Sequence, residues 1–180
     1  MKITSLTIPE VLIIEQSIFE DNRGFFYESF REDLFNLQTS LDVKFVQDNH
    51  SKSFQGVLRG LHYQIPPHSQ GKLVRVIQGE IFDVAIDLRN NSPTFGKYTS
   101  EILSAENKKQ MWIPKGFAHG HLTLSSSSEV LYKVTDFYHP ASERCILWSD
   151  TSLDIKWPEL PNKTISHKDR LGKSLKEAFL

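Results

Sequence analysis

Few side chains in this sequence have both the chemistry and the spacing to work together. The segment Gly56-Val57-Leu58-Arg59-Gly60-Leu61-His62-Tyr63-Gln64 reads as a strand. Residues two apart on a strand face the same side, so His62 and Gln64 share a face. Two histidines at that spacing would grip a metal ion, but an amide in the second place weakens the grip. Lys72 opens the strand that follows. Its ammonium has no lone pair for a metal and repels a cation, yet it stabilises an oxyanion. Tyr132, flanked by Leu131 and Val134, and Arg59 add a phenol and a guanidinium. Each has a plainer reading on its own. A lone His is more often a satisfied structural residue, and a Tyr among apolar neighbours is more often packing. Residue types alone give a β-barrel wall with His, Lys, Tyr and Arg facing one cavity, and no substrate.

The elements that must hold these residues are mostly strands. The strongest signal is residues 72–89, where Phe82, Val84, Ile86 and Leu88 alternate with other residues after Gly79-Glu80. Alternation around a Gly turn predicts a β-hairpin with one buried face. Further strands are expected at 11–15, 25–29, 43–50, 57–64, 101–103, 110–113, 119–124, 130–135 and 144–148. Many short strands between Gly, Pro, Asn and Ser turns predict a sandwich or barrel. One helix is expected, with Ser29 and Glu32 as a capping box and Leu34, Phe35, Leu37 and Leu41 on its apolar face. Residues 173–180 suggest a short C-terminal helix. Pro114-Lys115-Gly116-Phe117-Ala118-His119 resembles the second signature of metal-binding cupins, as 56–62 resembles the first. The fold expected is mainly β: a cupin-like antiparallel β-barrel, or jelly roll, with a few short helices. Its metal cage would be incomplete, because Gln64 and Lys72 stand where ligands are needed, so no metal is expected.

Bulk properties narrow the class. The chain has 180 residues, 39% of them hydrophobic, enough for a sizeable core and one domain spanning 1–180. A net charge of −1 argues against broad electrostatic binding to nucleic acid or membrane. Cys145 is the single cysteine, so no intrachain disulfide forms; it is expected on a buried strand as a core residue. No signal peptide and no membrane helix are expected, because Pro9, Glu10 and Glu15 interrupt the N-terminal apolar stretches. A cytoplasmic protein is the expectation.

Longer motifs then point to a family. They are Asp21-Asn22-Arg23-Gly24-Phe25-Phe26, Gln47-Asp48-Asn49, Leu58 to Gln64, Gln70-Gly71-Lys72-Leu73-Val74-Arg75-Val76 and Trp112 to Gly120. Leu131-Tyr132-Lys133, Thr135-Asp136-Phe137-Tyr138 and Ile155-Lys156-Trp157-Pro158 follow in the same order. Together they resemble the dTDP-4-dehydrorhamnose 3,5-epimerase family from about residue 18 to about residue 170. The resemblance implies a dTDP-linked 4-keto-6-deoxyhexose substrate whose C3 and C5 are inverted through an enolate. It implies His62 as general base oriented by Asp169, Tyr132 as general acid, Lys72 at the enolate oxygen, and His119 near the sugar. It implies Arg59, Arg23 and Lys168 around the diphosphate. Glu28, Gln47, Asn49 and Glu143 complete the contacts, and Tyr138 stacks on thymine. No cofactor is implied, and no Gly-rich dinucleotide fingerprint is present. A homodimer is implied, with N-terminal strands crossing to the partner, so that Gln47 and Asn49 would serve the neighbour's site.

The chemistry is coherent. Hydrogens at C3 and C5 flank a ketone, so removing either gives an enolate on O4. An imidazole, with an ordinary pKa of about 6.5, suits that removal. Two departures stand out: His121 where the family usually has an aromatic residue, and Val134 where it often has Cys. Inversion of C3 alone or C5 alone, or another nucleotide ketosugar, is the first alternative. A non-catalytic sugar-nucleotide-binding cupin is the second; the full His62, Lys72, Tyr132 and Asp169 set argues against it. A metal-dependent oxygenase is the third, disfavoured by the missing ligands.

Overall fold

Short runs of alternating apolar residues, broken at turns, assemble into two sheets that share a core. The computed structural model describes residues 1–178. In chain order the strands are β1 (Lys2–Ser5), β2 (Leu12–Glu15), β3 (Phe19–Asp21), β4 (Gly24–Phe26), β5 (Gln47–Phe54), β6 (Val57–Gln64) and β7 (Lys72–Gln78). They continue as β8 (Glu80–Asp87), β9 (Tyr98–Ser104), β10 (Gln110–Ile113), β11 (Phe117–Thr123), β12 (Ser127–Val134), β13 (Glu143–Cys145) and β14 (Thr164–Ile165). The helices are α1 (Glu32–Thr39), α2 (His167–Arg170) and α3 (Leu175–Ala178).

One sheet has the order β1-β2-β10-β7-β12-β5, and the other β13-β6-β11-β8-β9 with β14 added beside β6. All pairings between these strands are antiparallel except β14 with β6. The expected jelly-roll architecture is present. Side chains from both sheets, among them Ile13, Val74, Val76, Ile81, Ala85 and Val130, meet in the central core. A second cluster around Leu61, Val84, Ile86 and Ile146 packs beneath Trp157 and Ile155 from the C-terminal segment. A third gathers Phe30, Phe35, Phe45 and Trp112, whose rings meet at centroid distances of 5.1–6.0 Å and steep angles. Among the described residues no helix is long and apolar enough to cross a membrane.

The structure corrects several local readings. Residues 72–89 are not a hairpin. β7 pairs with β10 and β12, whereas β8 pairs with β11 and β9 in the other sheet. The chain crosses between sheets at Gly79, whose φ is +74° and whose absent Cβ would lie 2.0 Å from the Ser127 carbonyl oxygen. A corner that tight admits only glycine. Both faces of β8 are buried for the same reason: Ile81 and Ala85 enter the central core, Val84 and Ile86 the second cluster. α1 has no capping box. Its N-cap is Arg31, without a side-chain cap bond, and the Ser29 carbonyl instead accepts a 2.6 Å hydrogen bond from Gln110 Nε2. Leu37 points away from the core at 74% exposure, so only Phe35 of α1 is fully buried. The expected strand at 43–50 starts later, at Gln47, because Val43 and Phe45 pack under α1. Cys145 lies at the end of a three-residue strand and is half-buried, with its thiol pushed up to about 12 by burial, which keeps it protonated and inert. Of the expected C-terminal helix, α3 is present and residues 179 and 180 lie outside the described residues.

Candidate active site

The site lies between the two sheets. His62 comes from β6, and His119 and His121 from β11 beside it; Lys72 comes from β7, and Tyr132 from β12 opposite. Their side chains line one open cavity of about 390 Å³. β6 and β11 approach unusually closely there, because Gly60 and Gly120 face each other. A Cβ on Gly60, at φ +124°, would meet the Gly120 Cα at 2.6 Å. That contact sets His119 directly across from His62 in the sheet register.

His62 Nε2 lies 2.7 Å from Asp169 Oδ1. Asp169 sits on α2, whose first turn is capped by Ser166 Oγ accepting from the Asp169 N–H. The Gly60 N–H donates to the other carboxylate oxygen at 3.2 Å. Asp169 is only 3% exposed. Burial pushes its carboxyl up, but the hydrogen bond from His62, its charge and the Gly60 N–H outweigh burial and hold it below the usual range. An ionised Asp169 accepts a proton-bearing Nε2, which leaves Nδ1 of neutral His62 as the basic nitrogen.

Lys72 is buried, with Nζ donating to the His62 carbonyl at 3.1 Å. Desolvation pushes its ammonium down to about 8, against the opposing pull of Asp83 and Glu143. Burial likewise raises the Tyr132 phenol, partly offset by Arg59. His119 Nε2 lies 2.6 Å from the fully buried Asp83; desolvation lowers its pKa despite that carboxylate. His121 is pushed down to about 3 by burial, and so is a neutral imidazole. A buried cation, a phenol and a Asp-oriented imidazole around one cavity are equipped for proton transfer next to a developing negative charge.

The remaining expected residues divide. Gln47, Asn49, Arg59, Tyr138 and Glu143 line the same cavity. Gln47 Nε2 donates to Asn49 Oδ1 at 2.9 Å and its carbonyl accepts from the Tyr138 N–H at 3.0 Å. Tyr138 Oη donates to Glu143 Oε2 at 2.7 Å, and Lys168 Nζ pairs with the same oxygen. Arg59 Nε is held by Ser53 Oγ at 2.9 Å. Gln47 and Asn49 therefore stand in the cavity of their own chain, contrary to the expectation that they serve a neighbour: β5 pairs with β12 along its whole length. Arg23 and Glu28 do not reach this cavity. Arg23 pairs with Asp21 on the exposed β3–β4 hairpin, and Glu28 lies 3.8 Å from Arg31.

Two contributors escaped sequence reasoning. Gln64, read as a failed metal ligand, spends its whole amide on backbone: Nε2 donates to the His68 and Phe137 carbonyls, and Oε1 accepts from the His139 N–H. It staples together the loops that carry Tyr138. Asp83 is the partner of His119, and the signal for it was an acid in the middle of an apolar strand. A fully buried carboxylate needs a hydrogen-bonded partner.

Comparisons with known proteins decide the family. A model of the dTDP-4-dehydrorhamnose 3,5-epimerase family matches residues 5–177. The chain belongs to this family. It is 56% identical to the dTDP-4-dehydrorhamnose 3,5-epimerase of Pseudomonas aeruginosa, over 99% of this chain and 98% of that protein. Among solved structures it is similar to the Legionella pneumophila dTDP-6-deoxy-D-glucose-3,5-epimerase in complex with dTDP-4-keto-L-rhamnose. That match has a TM-score of 0.95 at 51% identity, over 97% of this chain and 93% of that one. The Bacillus anthracis dTDP-4-dehydrorhamnose 3,5-epimerase with TDP and pyrophosphate bound matches with a TM-score of 0.92 at 41% identity, over 96% and 98%. Membership in the epimerase family accounts for the motifs spread along the chain, including those far from the cavity.

Proposed function

We propose that this chain inverts C3 and C5 of dTDP-4-dehydro-6-deoxy-D-glucose to give dTDP-4-dehydro-L-rhamnose. The observation that carries the reading is the set around one cavity: His62 on one sheet, held by Asp169 of α2, with Lys72 and Tyr132 on the other sheet. His62 Nδ1 takes the proton from C3. The C–H electrons form the C3–C4 double bond and place negative charge on O4, beside the Lys72 ammonium. Tyr132 then delivers its phenolic proton to C3 from the opposite face; once His62 has released its proton to solvent and Tyr132 has regained one, the same sequence at C5 completes the inversion. The enolate carbon is more basic than a phenolate of ordinary pKa about 10, so the transfer is downhill. Arg59 and Lys168 take the diphosphate, with Gln47, Asn49 and Glu143 completing the contacts and His119 close to the sugar. Planar guanidinium donors match phosphate oxygens. No redox cofactor enters these steps. Incubation with the 4-keto-6-deoxyglucose nucleotide in heavy water should place deuterium at both C3 and C5 of an L-configured product, read by NMR. Label and inversion at only one centre would make it a single-centre epimerase.

Tyr138 is half-exposed at the cavity edge and is the stacking partner for thymine in this reading. Tyr138→Ala should weaken dTDP binding by about 1–3 kcal/mol, the range for one aromatic–base stack. Calorimetry with dTDP and with thymidine checks this. Arg59→Ala should weaken dTDP far more than thymidine; equal losses for both ligands would remove Arg59 from the phosphates.

The acting form is a homodimer in this reading, located in the cytoplasm where nucleotide sugars are made. The β3–β4 hairpin exposes Phe19, Phe25 and Phe26 at 58–67% and carries Arg23 outside the cavity of its own chain. A cluster of exposed aromatics of this kind marks a protein contact. Arg23 and Glu28 would complete the neighbour's site. An Arg23→Ala protein mixed with a His62→Ala protein should recover activity, because one hybrid site is intact. No recovery after demonstrated subunit exchange would confine each site to one chain.

A further inference from the structure

Besides Ser51 Oγ on β5, two buried polar atoms, Asp83 Oδ2 and His121 Nε2, have no hydrogen-bond partner among the described residues. Leaving such groups unpaired costs about 1–3 kcal/mol each. They are neighbours by construction. His121 stands directly across from Asp83 in the pairing of β11 with β8, and His119 lies two residues before His121, on the same face of β11. One ligand atom from each of Asp83, His119 and His121 lies within 4.8 Å of the other two, and all three residues are buried. Some point is therefore within about 2.8 Å of all three atoms. Zinc–nitrogen and zinc–oxygen bonds are about 2.0–2.2 Å long, so inward shifts of less than about 1 Å would bring the set to bonding distance. Two imidazoles and a carboxylate are the donor set that zinc and its first-row neighbours favour.

We propose that Asp83, His119 and His121 form a buried site for a borderline divalent transition-metal ion such as Zn²⁺ or Co²⁺. This site differs from the incomplete cage read at His62 and Gln64. It uses the two histidines of β11 and an acid from the adjacent strand β8. Its occupant opposes turnover, because His119 also lines the substrate cavity. Lys72 and Arg59 act electrostatically on His121, and their positive charge disfavours a dication. The site therefore fills when metal is in excess and is not a resident cofactor site. A second cluster, His62, Cys145 and Asp169, also brings three ligand atoms together. Each cluster contains a hydrogen-bonded His–Asp pair, His119 with Asp83 and His62 with Asp169, but the third donor differs: His121 is a neutral imidazole with Nε2 unpaired, whereas the Cys145 thiol is held protonated.

Cobalt reports on this directly, whatever the protein catalyses. Protein stripped with chelator and titrated with Co²⁺ should take up one ion per chain, with visible d–d bands and no thiolate-to-cobalt charge-transfer band. His121→Gln and Asp83→Asn, each confirmed folded by circular dichroism, should bind Co²⁺ more than about 100-fold more weakly, as befits loss of a ligand rather than of an outer-shell partner. Excess Zn²⁺ should slow the wild type relative to its metal-free rate and slow His121→Gln much less. Equal Co²⁺ uptake by His121→Gln would overturn the proposal. So would a sulfur charge-transfer band, which would move the ion to Cys145, or a wild-type protein that stays colourless, which would leave only water between the two unpaired atoms.

Discussion

His62→Ala protein in heavy water should leave C3 and C5 of the ketosugar both unlabelled and uninverted, with turnover lowered by about 10²–10⁴-fold, the span for loss of a general base. Without the imidazole no enolate forms, so neither exchange nor inversion proceeds. Tyr132→Phe should behave differently in kind. It keeps the His62–Asp169 pair and Lys72, so the enolate still forms. Its only proton source is then the His62 face, which restores the original configuration. Deuterium should enter at C3 or C5 while inverted sugar becomes scarce, given exchange of the imidazole proton with solvent. The contrast rests on placement: His62 and Tyr132 belong to opposing sheets and line the same cavity. Removing the phenolic oxygen from a packing tyrosine would lower stability modestly and leave product stereochemistry normal. Rapid formation of inverted product by folded Tyr132→Phe would therefore end the acid assignment, and leave that of His62 untouched.

Replacing Lys72 by Met should lower kcat by about 10²–10³-fold with little change in KM, the effect of removing a preorganised group at a developing oxyanion. The same substitution should stabilise the fold. The Lys72 ammonium is pushed from 10.5 down to about 8 by burial, so below pH 8 the folded protein carries the cost of a buried charge. Between about pH 8 and 10.5 the folded amine is neutral while the unfolded chain still binds the proton, so wild-type stability gains on that of Lys72→Met as pH rises. Met leaves the His62 carbonyl without its Nζ partner, which trims the benefit. A net gain on the order of 1–2 kcal/mol at pH 7, narrowing toward pH 10, is expected from thermal melts. The kcat/KM profile of the wild type should fall above about pH 8 as Lys72 loses its charge. Activity of Lys72→Met within tenfold of wild type would remove Lys72 from the oxyanion.

Local chemistry made the site more legible than the path of the chain. His62, Lys72, Tyr132 and Arg59 could be grouped because strand alternation and motif spacing both act over a few residues, whereas Tyr138 was added by resemblance. Asp169 could be grouped with them only by resemblance, since its surroundings, His167-Lys168-Asp169-Arg170, read as solvated surface. Its burial comes from α2 docking on β6, a contact between residues more than a hundred positions apart. The failed hairpin at 72–89 has the same origin. A glycine corner looks alike in sequence whether the strand folds back on itself or passes to the facing sheet, and only the Ser127 backbone decides between them. Gln64 was misread because two of its amide's three backbone partners, at Phe137 and His139, lie more than seventy positions away and leave no local trace. The placement of Arg23 and Glu28 outside the cavity was not legible either, because sequence spacing carries no information about where an exposed hairpin projects.

The tether of Asp169 to Gly60 and His62 ties competence to the order of synthesis. The last strand of the two main antiparallel ladders ends at Cys145, yet the carboxylate bonded to His62 is supplied 24 residues later, from a single helical turn. A ribosome-bound chain could close its barrel while still holding an unoriented imidazole. Protease nicking in the stretch between Trp157 and Ser166 would act as an off-switch on the finished protein, releasing the carboxylate while leaving the sheets standing.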